Sequence, residues 1–241
     1  MHNAAIATLL PTNPRLAGVR YHRLHITAEE LPEALALLHA KGFAGVNLTV
    51  PHKIQALSLA ESLSPEARRA ESVNTLIRTA TGWTGDTTDG QGFLEALRER
   101  TGKTTKGRPV ILLGSGGAAR AVAAACLADG CSALYLHNRD VAKAAALASA
   151  LADPRVQTAG LTEIKATPDA VIVNCTTLGL KPTDASPFPS ELLADGQFVF
   201  DTTYGSEASR LLKDASEYCV AHCDGRSMLR WQGALAFRLW N

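Results

Sequence analysis

Hydrophobic and polar positions along the chain follow two periods, which predict strands and helices in alternation. Short apolar runs predict strands at 21–26, 44–50, 110–113, 133–136, 170–173 and 198–200, and 72–79 with 82–85 predicts a small hairpin. Helical spacing predicts helices at the start of the chain and at 32–41, 52–60, 65–71, 89–100, 117–129 and 228–240. The alternation indicates an α/β fold.

A polar, turn-rich segment, Thr101–Pro109, separates two parts of the chain that differ in character. The strands that follow it are apolar almost throughout and alternate with helices, which is typical of a parallel sheet covered on both faces. The final helix, 228–240, is more apolar than a surface helix should be. We therefore predict two domains.

Composition and charge exclude several classes of protein. A net charge of +1 favours neither nucleic acid nor an anionic membrane surface. The sequence has no apolar run long enough for a membrane span, and its first ten residues lack the features of a secretory signal. The five cysteines fit reduced thiols in the cytoplasm. Cys219, His222 and Cys223 lack zinc-site spacing, so we expect no metal.

The segment Val46–Lys53 predicts a site for a small, oxygen-rich molecule. A strand with two polar residues on one face, Asn47 and Thr49, leads into Pro51, which suits the start of a helix. Lys53 then lies in the first turn of that helix. The local pattern alone fits a solvated surface lysine equally well.

The segment Gly114–Ala121 predicts a dinucleotide site. It follows an apolar strand and opens a helix, with Gly114, Gly116 and Ala119 in the three small-residue positions of the dinucleotide fingerprint. The helix start offers unpaired N–H groups to a phosphate. A glycine-rich turn without a nucleotide is the alternative.

The end of the next strand indicates which dinucleotide is bound. Asn138 and Arg139 stand where NAD-binding proteins carry a carboxylate, and an arginine there accommodates the 2′-phosphate of NADP. Lys143 offers a second positive charge. Asp140 opposes this because a carboxylate repels a phosphate, so the residues favour NADP and leave NAD open.

Taken together, the motifs of this chain resemble those of shikimate dehydrogenases along nearly the whole length. They are VNLTVPHK (46–53), SVNTL (72–76), GDTTDGQGF (85–93), GSGGAARA (114–121), Asn138–Arg139, Asn174–Thr176 with Gly179, DTTY (201–204), and Gly225 with Met228–Leu229 and Gln232–Ala234. The resemblance implies the reversible, NADP-dependent reduction of 3-dehydroshikimate to shikimate, a step towards chorismate and the aromatic amino acids.

The resemblance also implies the domains and the roles of residues. A mixed or parallel α/β substrate domain takes residues 1–90 plus 226–241, and a Rossmann-like NADP domain takes 91–225. Lys53 and Asp89 are the implied catalytic pair, although Asp89 also fits a helix N-cap. The implied substrate residues are Thr49, Lys53, Asn74, Asp89, Tyr204 and Gln232. The implied cofactor residues are Gly114, Ser115, Gly116, Gly117, Ala118, Asn138, Arg139, Lys143, Thr202 and Gly225. The family includes monomers and homodimers.

The two ends of the chain depart from the family pattern. His2–Asn3 matches the start of the family's first helix, so about twenty residues are missing, including a strand and a Ser-x-Ser-Pro segment whose hydroxyls bind the substrate carboxylate. The family's closing helix is missing as well. We expect a misassigned start or a fragment. An NAD-preferring quinate/shikimate dehydrogenase and a truncated, non-catalytic NADP-binding remnant are the alternatives.

Overall fold

The computed structural model describes every residue from Met1 to Asn241. The chain forms two sheets connected and covered by helices. The helices are α1 (His2–Leu9), α2 (Leu31–Ala40), α3 (His52–Gln55), α4 (Pro65–Ala70), α5 (Asp89–Thr101), α6 (Gly117–Asp129), α7 (Val141–Leu151), α8 (Arg210–Glu217) and α9 (Arg226–Trp240). The strands are β1 (Gly45–Asn47), β2 (Ser62–Leu63), β3 (Thr75–Arg78), β4 (Trp83–Asp86), β5 (Pro109–Leu113), β6 (Ala133–His137), β7 (Val156–Ala159), β8 (Val171–Asn174), β9 (Phe198–Asp201) and β10 (Ala221–Cys223).

The larger sheet is wholly parallel and has six strands in the order β10-β9-β8-β5-β6-β7. Successive side chains of β5 enter two different apolar clusters: Val110 and Leu112 join one, and Ile111 and Leu113 join the other. Because neighbouring side chains of a strand point to opposite faces, both faces of this sheet are covered. The predicted α/β fold with a covered parallel sheet is confirmed.

The smaller sheet is mixed and has four strands in the order β1-β3-β4-β2. Strands β3 and β4 form the predicted hairpin, and β1 runs antiparallel to β3 with Asn47 opposite Thr75. Ser64 caps α4 as predicted, because its hydroxyl accepts a hydrogen bond from the Ala67 N–H. This sheet therefore brings the polar end of β1 beside the start of β3.

Helices α5 and α9 connect the two sheets. Phe93 of α5 packs edge-to-face on Phe200 of the larger sheet, with 4.9 Å between the ring centroids. Met228, near the start of α9, belongs to the same apolar cluster. At its other end, the Trp240 indole N–H donates to the Leu76 carbonyl of the smaller sheet at 3.0 Å. Helix α9 thus spans both sheets; the division of the chain at residues 90 and 225 stays a prediction.

The strand predicted at Tyr21–Ile26 is wrong. This segment has no regular secondary structure and pairs with no strand. Side chains bind its backbone instead: the Tyr21 N–H donates to Asn3, and the Ile26 carbonyl contacts a ring nitrogen of His52. The strand predicted at 44–50 is shortened to Gly45–Asn47. An apolar run indicates burial, but a strand also needs a neighbour in register.

The sequence prediction also missed several short elements. Strands β2 and β7 and helix α8 were not expected, whereas α6 has the predicted bounds of Gly117 and Asp129.

No helix of the structure combines the length and the apolarity that crossing a bilayer requires.

Gly225 allows the chain to pass the end of β9 before α9 begins, and this generates a stability prediction. A methyl group on Gly225 would overlap the Thr202 carbonyl, whereas one on Gly205 would meet only ordinary contacts. We expect Gly225→Ala to cost about 1–3 kcal/mol, as overpacking does, and to lower the thermal midpoint by several degrees. Gly205→Ala is the matched control and should stay near wild type. Equal midpoints for the two variants would contradict the close packing.

Candidate active site

Lys53 enters the junction between the two sheets from the short helix α3. The Lys53 carbonyl accepts a hydrogen bond from the Val73 N–H at 2.8 Å, which ties α3 to the segment before β3. The Lys53 Nζ lies 2.5 Å from Asp89 Oδ2, and the two side chains are only 14% and 6% exposed. The solvated-lysine interpretation is therefore wrong, and the junction holds a buried ion pair.

The second oxygen of Asp89 also has a partner. Asn74 Nδ2 donates to Asp89 Oδ1 at 2.8 Å, and Asn74 is 2% exposed. A buried ion pair is tolerated when further hydrogen bonds satisfy its remaining atoms. Asp89 is the first residue of α5, yet its carboxylate faces Lys53 and Asn74, and Thr88 is the N-cap position. The N-cap interpretation of Asp89 is therefore wrong.

Thr88 is a residue of this site that sequence reasoning missed. Its N–H donates to Asn74 Oδ1 at 2.9 Å, and its hydroxyl accepts from Asn74 Nδ2 at 3.1 Å. The backbone N–H can only donate, so it requires the oxygen of the Asn74 amide on its side. The only sequence signal is its place beside Asp89 in the motif at 85–93.

Of the other residues in the implied substrate set, Gln232 is bonded to this network, and Thr49 and Tyr204 lie at the surface. Gln232 of α9 is in reach, because its Oε1 lies 3.4 Å from Asn74 Nδ2. Thr49 lies on the exposed turn before α3. Tyr204 is 49% exposed on the loop after β9. The structure thus joins four of the residues by hydrogen bonds, namely Lys53, Asn74, Asp89 and Gln232, and leaves Thr49 and Tyr204 at the surface.

The glycine-rich turn at the end of β5 has the geometry of a phosphate site. Gly114 has φ +106°, which a side chain would strain, and Gly116 has open space where a Cβ would lie. Gly116 is the N-cap position of α6, and no side chain caps the helix. The N–H groups of the first turn, at Gly117 and Ala118, are therefore free to bind an anion.

The residues at the end of β6 are arranged around this turn. Asn138 Nδ2 donates to Ser115 Oγ at 2.6 Å, which joins the two loops. Arg139 is exposed. Asp140 caps α7 by accepting from the Ala142 N–H at 3.1 Å, and its other oxygen lies 3.7 Å from Lys143 Nζ. The Asp140 carboxylate is thus bound to its own helix, and Lys143 offsets its charge.

The glycine-rich turn and the ion pair meet directly. A methyl group on Gly117 would lie 2.8 Å from Lys53 Cβ and 3.0 Å from Ser72 Oγ, so only glycine lets α6 approach this closely. Thr202 and Gly225 lie against each other at the carboxyl end of β9, on the same edge of the larger sheet as Gly114. Burial raises the pKa of the Cys175 thiol beside Gly114, which favours its neutral form.

This arrangement can support proton transfer beside a bound nucleotide. A protonated amine donates a proton, a carboxylate fixes its direction, and the free N–H groups at the start of α6 bind phosphate within the same junction. No other part of the chain combines a buried amine, a carboxylate and an anion-binding helix start in this way.

Comparison with known proteins agrees with this geometry. A family model described as the shikimate dehydrogenase substrate binding domain matches residues 1–76, and one described as shikimate / quinate 5-dehydrogenase matches residues 96–179. A shikimate dehydrogenase (NADP(+)) of Rhodospirillum rubrum is 41% identical over 91% of this chain and 80% of its own length. That of Moorella thermoacetica is 37% identical over 100% of this chain and 82% of its own length.

Solved structures extend the similarity to the fold. The shikimate 5-dehydrogenase of Thermus thermophilus, in complex with NADP(H) and shikimate, has a TM-score of 0.84 and 36% identity, covering 98% of this chain and 87% of that one. The quinate dehydrogenase of Corynebacterium glutamicum, in complex with NAD, has a TM-score of 0.78 and 30% identity, covering 88% of this chain and 77% of that one. The chain belongs to the shikimate dehydrogenase family.

Proposed function

We propose that this protein catalyses the reversible, NADP-dependent reduction of 3-dehydroshikimate to shikimate. The observation that carries the proposal is the buried Lys53–Asp89 pair placed against Gly117, at the start of the helix that offers N–H groups to a phosphate. Substrate and nucleotide then meet at one junction. Relatives of the same family name, at 35–41% identity, support the assignment.

Lys53 supplies the proton in this proposal. NADPH, when bound, supplies the hydride that reduces the ketone, and negative charge develops on the ketone oxygen. The Lys53 ammonium stabilises that charge and donates a proton from Nζ to the oxygen. Asp89 orients the ammonium through Oδ2. In the reverse direction, Nζ accepts the proton from the hydroxyl that is oxidised.

The substrate is held by polar side chains on both sides of the junction. Asn74 and Gln232 offer amide groups to ring hydroxyls, and Thr49 and Tyr204 offer hydroxyls from the exposed loops at its edge. Their exposure allows these two residues to move onto a bound ligand without breaking a hydrogen bond of the free protein.

NADP is the proposed nucleotide rather than NAD. Gly114, Ser115, Gly116, Gly117 and Ala118 form the turn that would hold the pyrophosphate, and Thr202 and Gly225 lie farther along the same edge of the sheet. Arg139 is free at the surface to pair with a 2′-phosphate, and Asn138 fixes the loop beside it. Asp140 caps α7, which reduces its repulsion of that phosphate.

A quinate/shikimate dehydrogenase that prefers NAD is the second candidate. Asp140 remains within reach of the same position, and related structures were determined in complex with NAD. The buried Lys53–Asp89 pair argues against the non-catalytic remnant, because removing two charges from water is costly without a function. The five unpaired cysteines support a cytoplasmic location. A monomer or a homodimer stays the expectation from the resemblance.

The role of Lys53 is tested by Lys53→Met, which keeps the length of the side chain and removes its charge. We expect kcat for shikimate oxidation to fall roughly 10²–10⁴-fold, the range for loss of a general acid–base group. The affinity for NADP should change little. Lys41→Met, at an exposed lysine, is the matched control. Turnover of Lys53→Met at the wild-type rate would refute the assignment, as would failure of the wild type to oxidise shikimate.

The nucleotide preference is tested by Arg139→Gln. Removing one charge-assisted hydrogen bond to the 2′-phosphate should cost about 1.5–3 kcal/mol. We therefore expect the Kd for NADP, measured by titration calorimetry, to rise roughly 10- to 150-fold, while the Kd for NAD stays constant. An equal loss for both nucleotides would show that Arg139 does not recognise the 2′-phosphate.

A further inference from the structure

Thr75 lies behind the candidate site, at a position that the proposed reaction does not use. It is completely buried at the start of β3, directly opposite Asn47 of β1. Its hydroxyl donates to Asn74 Oδ1 at 2.8 Å and accepts from Asn47 Nδ2 at 3.2 Å. A hydroxyl has one proton to donate. Because the Thr75 proton goes to Asn74 and the Asn47 N–H binds the hydroxyl oxygen, the direction of both hydrogen bonds is fixed.

The hydrogen bonds of Asn47 also run from donor to acceptor towards Thr75. The Tyr21 hydroxyl donates to Asn47 Oδ1 at 3.1 Å, which leaves the Asn47 amide N–H groups facing Thr75 and the Asn74 carbonyl. Tyr21 is held by stacking on His2, with 4.2 Å between the ring centroids. Burial raises the pKa of Tyr21, so its hydroxyl remains a donor at neutral pH.

All donors in this series point towards Asp89. Tyr21 donates to Asn47, Asn47 to Thr75, Thr75 to Asn74, and Asn74 to Asp89 Oδ1. The series ends on the carboxylate that binds Lys53. Hydrogen bonds aligned in one direction polarise one another, and a charge at the acceptor end strengthens them.

The amide of Asn74 is the member whose orientation matters most. Its oxygen accepts from the Thr75 hydroxyl and the Thr88 N–H, and its nitrogen then faces Asp89 at 2.8 Å. Rotation of this amide by half a turn would place its oxygen against the carboxylate. The Thr88 N–H and the Thr75 hydroxyl both oppose that rotation, because each would then lose the acceptor that it donates to.

We infer that Thr75 is a positioning residue for the reaction: its hydroxyl, directed by Asn47, acts with the Thr88 N–H to fix the Asn74 amide, so that Asp89 keeps Lys53 in the reactive orientation. The inference rests on the proposed function. Thr75 acts through Asn74 and Asp89, and its own side chain is completely buried. Its effect therefore falls on the rate of turnover more than on substrate affinity.

The test compares three substitutions in the full chain. Thr75→Val removes the hydroxyl and keeps the shape, and Thr75→Ser keeps the hydroxyl. Thr84→Val makes the same change on the neighbouring strand β4, where the hydroxyl bonds only to Ser62 at 2.8 Å. We expect Thr75→Val to lower kcat roughly three- to tenfold, as loss of one neutral hydrogen bond does. Its KM for shikimate should change less than about twofold.

Two control variants and a second measurement separate a positioning role of Thr75 from a loss of stability. Thr75→Ser and Thr84→Val should keep kcat within about twofold of wild type. NMR of the Asn74 side-chain amide should show greater mobility in Thr75→Val, where the Thr88 N–H alone holds the amide oxygen, and wild-type mobility in Thr75→Ser. Unchanged amide mobility in Thr75→Val, or equal kcat in all variants, would overturn the inference. A wild type without shikimate turnover would refute the proposed function instead, and the amide mobility would still decide whether Thr75 fixes Asn74.

Discussion

The buried ion pair between Lys53 and Asp89 is the interaction on which the rest of the site depends. Both charges lie at the junction of the two sheets and are largely removed from water. Further hydrogen bonds to its atoms help to offset the cost of burying such a pair. Asn74 supplies that hydrogen bond to Asp89, and Thr88 and Thr75 in turn fix Asn74. The residues at the start of β3 and α5 therefore hold the Lys53 amine in one direction.

Close packing of the larger sheet against this pair makes the junction a single site. Gly117 admits the stem of Lys53 at the start of α6, and Gly90 admits the Ala121 carbonyl of the same helix next to Asp89. One helix thus contacts the surroundings of both charged residues and also offers its first N–H groups to a phosphate. A proton donor and a nucleotide site need this proximity, which neither sheet provides alone.

The sequence predicted what depends on local pattern and missed what depends on contacts between distant segments. Helix α6 could be placed from the glycine-rich turn before it, and the family motifs joined Lys53 to Asp89 across the chain. Tyr21–Ile26 has the pattern of a strand but no partner strand. Thr75 could not be assigned a role, because its hydrogen bond with Asn47 exists only once β1 and β3 pair in register.

The central claim is that Lys53 and Asp89 act as one unit, and a double-mutant cycle on kcat tests it most directly. Lys53→Met, Asp89→Asn and the double variant are compared with wild type in steady-state shikimate oxidation with NADP. Residues that act together lose their effect together, so we predict that the double variant is no slower than the slower single variant. Losses that multiply in the double variant would show two independent residues and contradict the account.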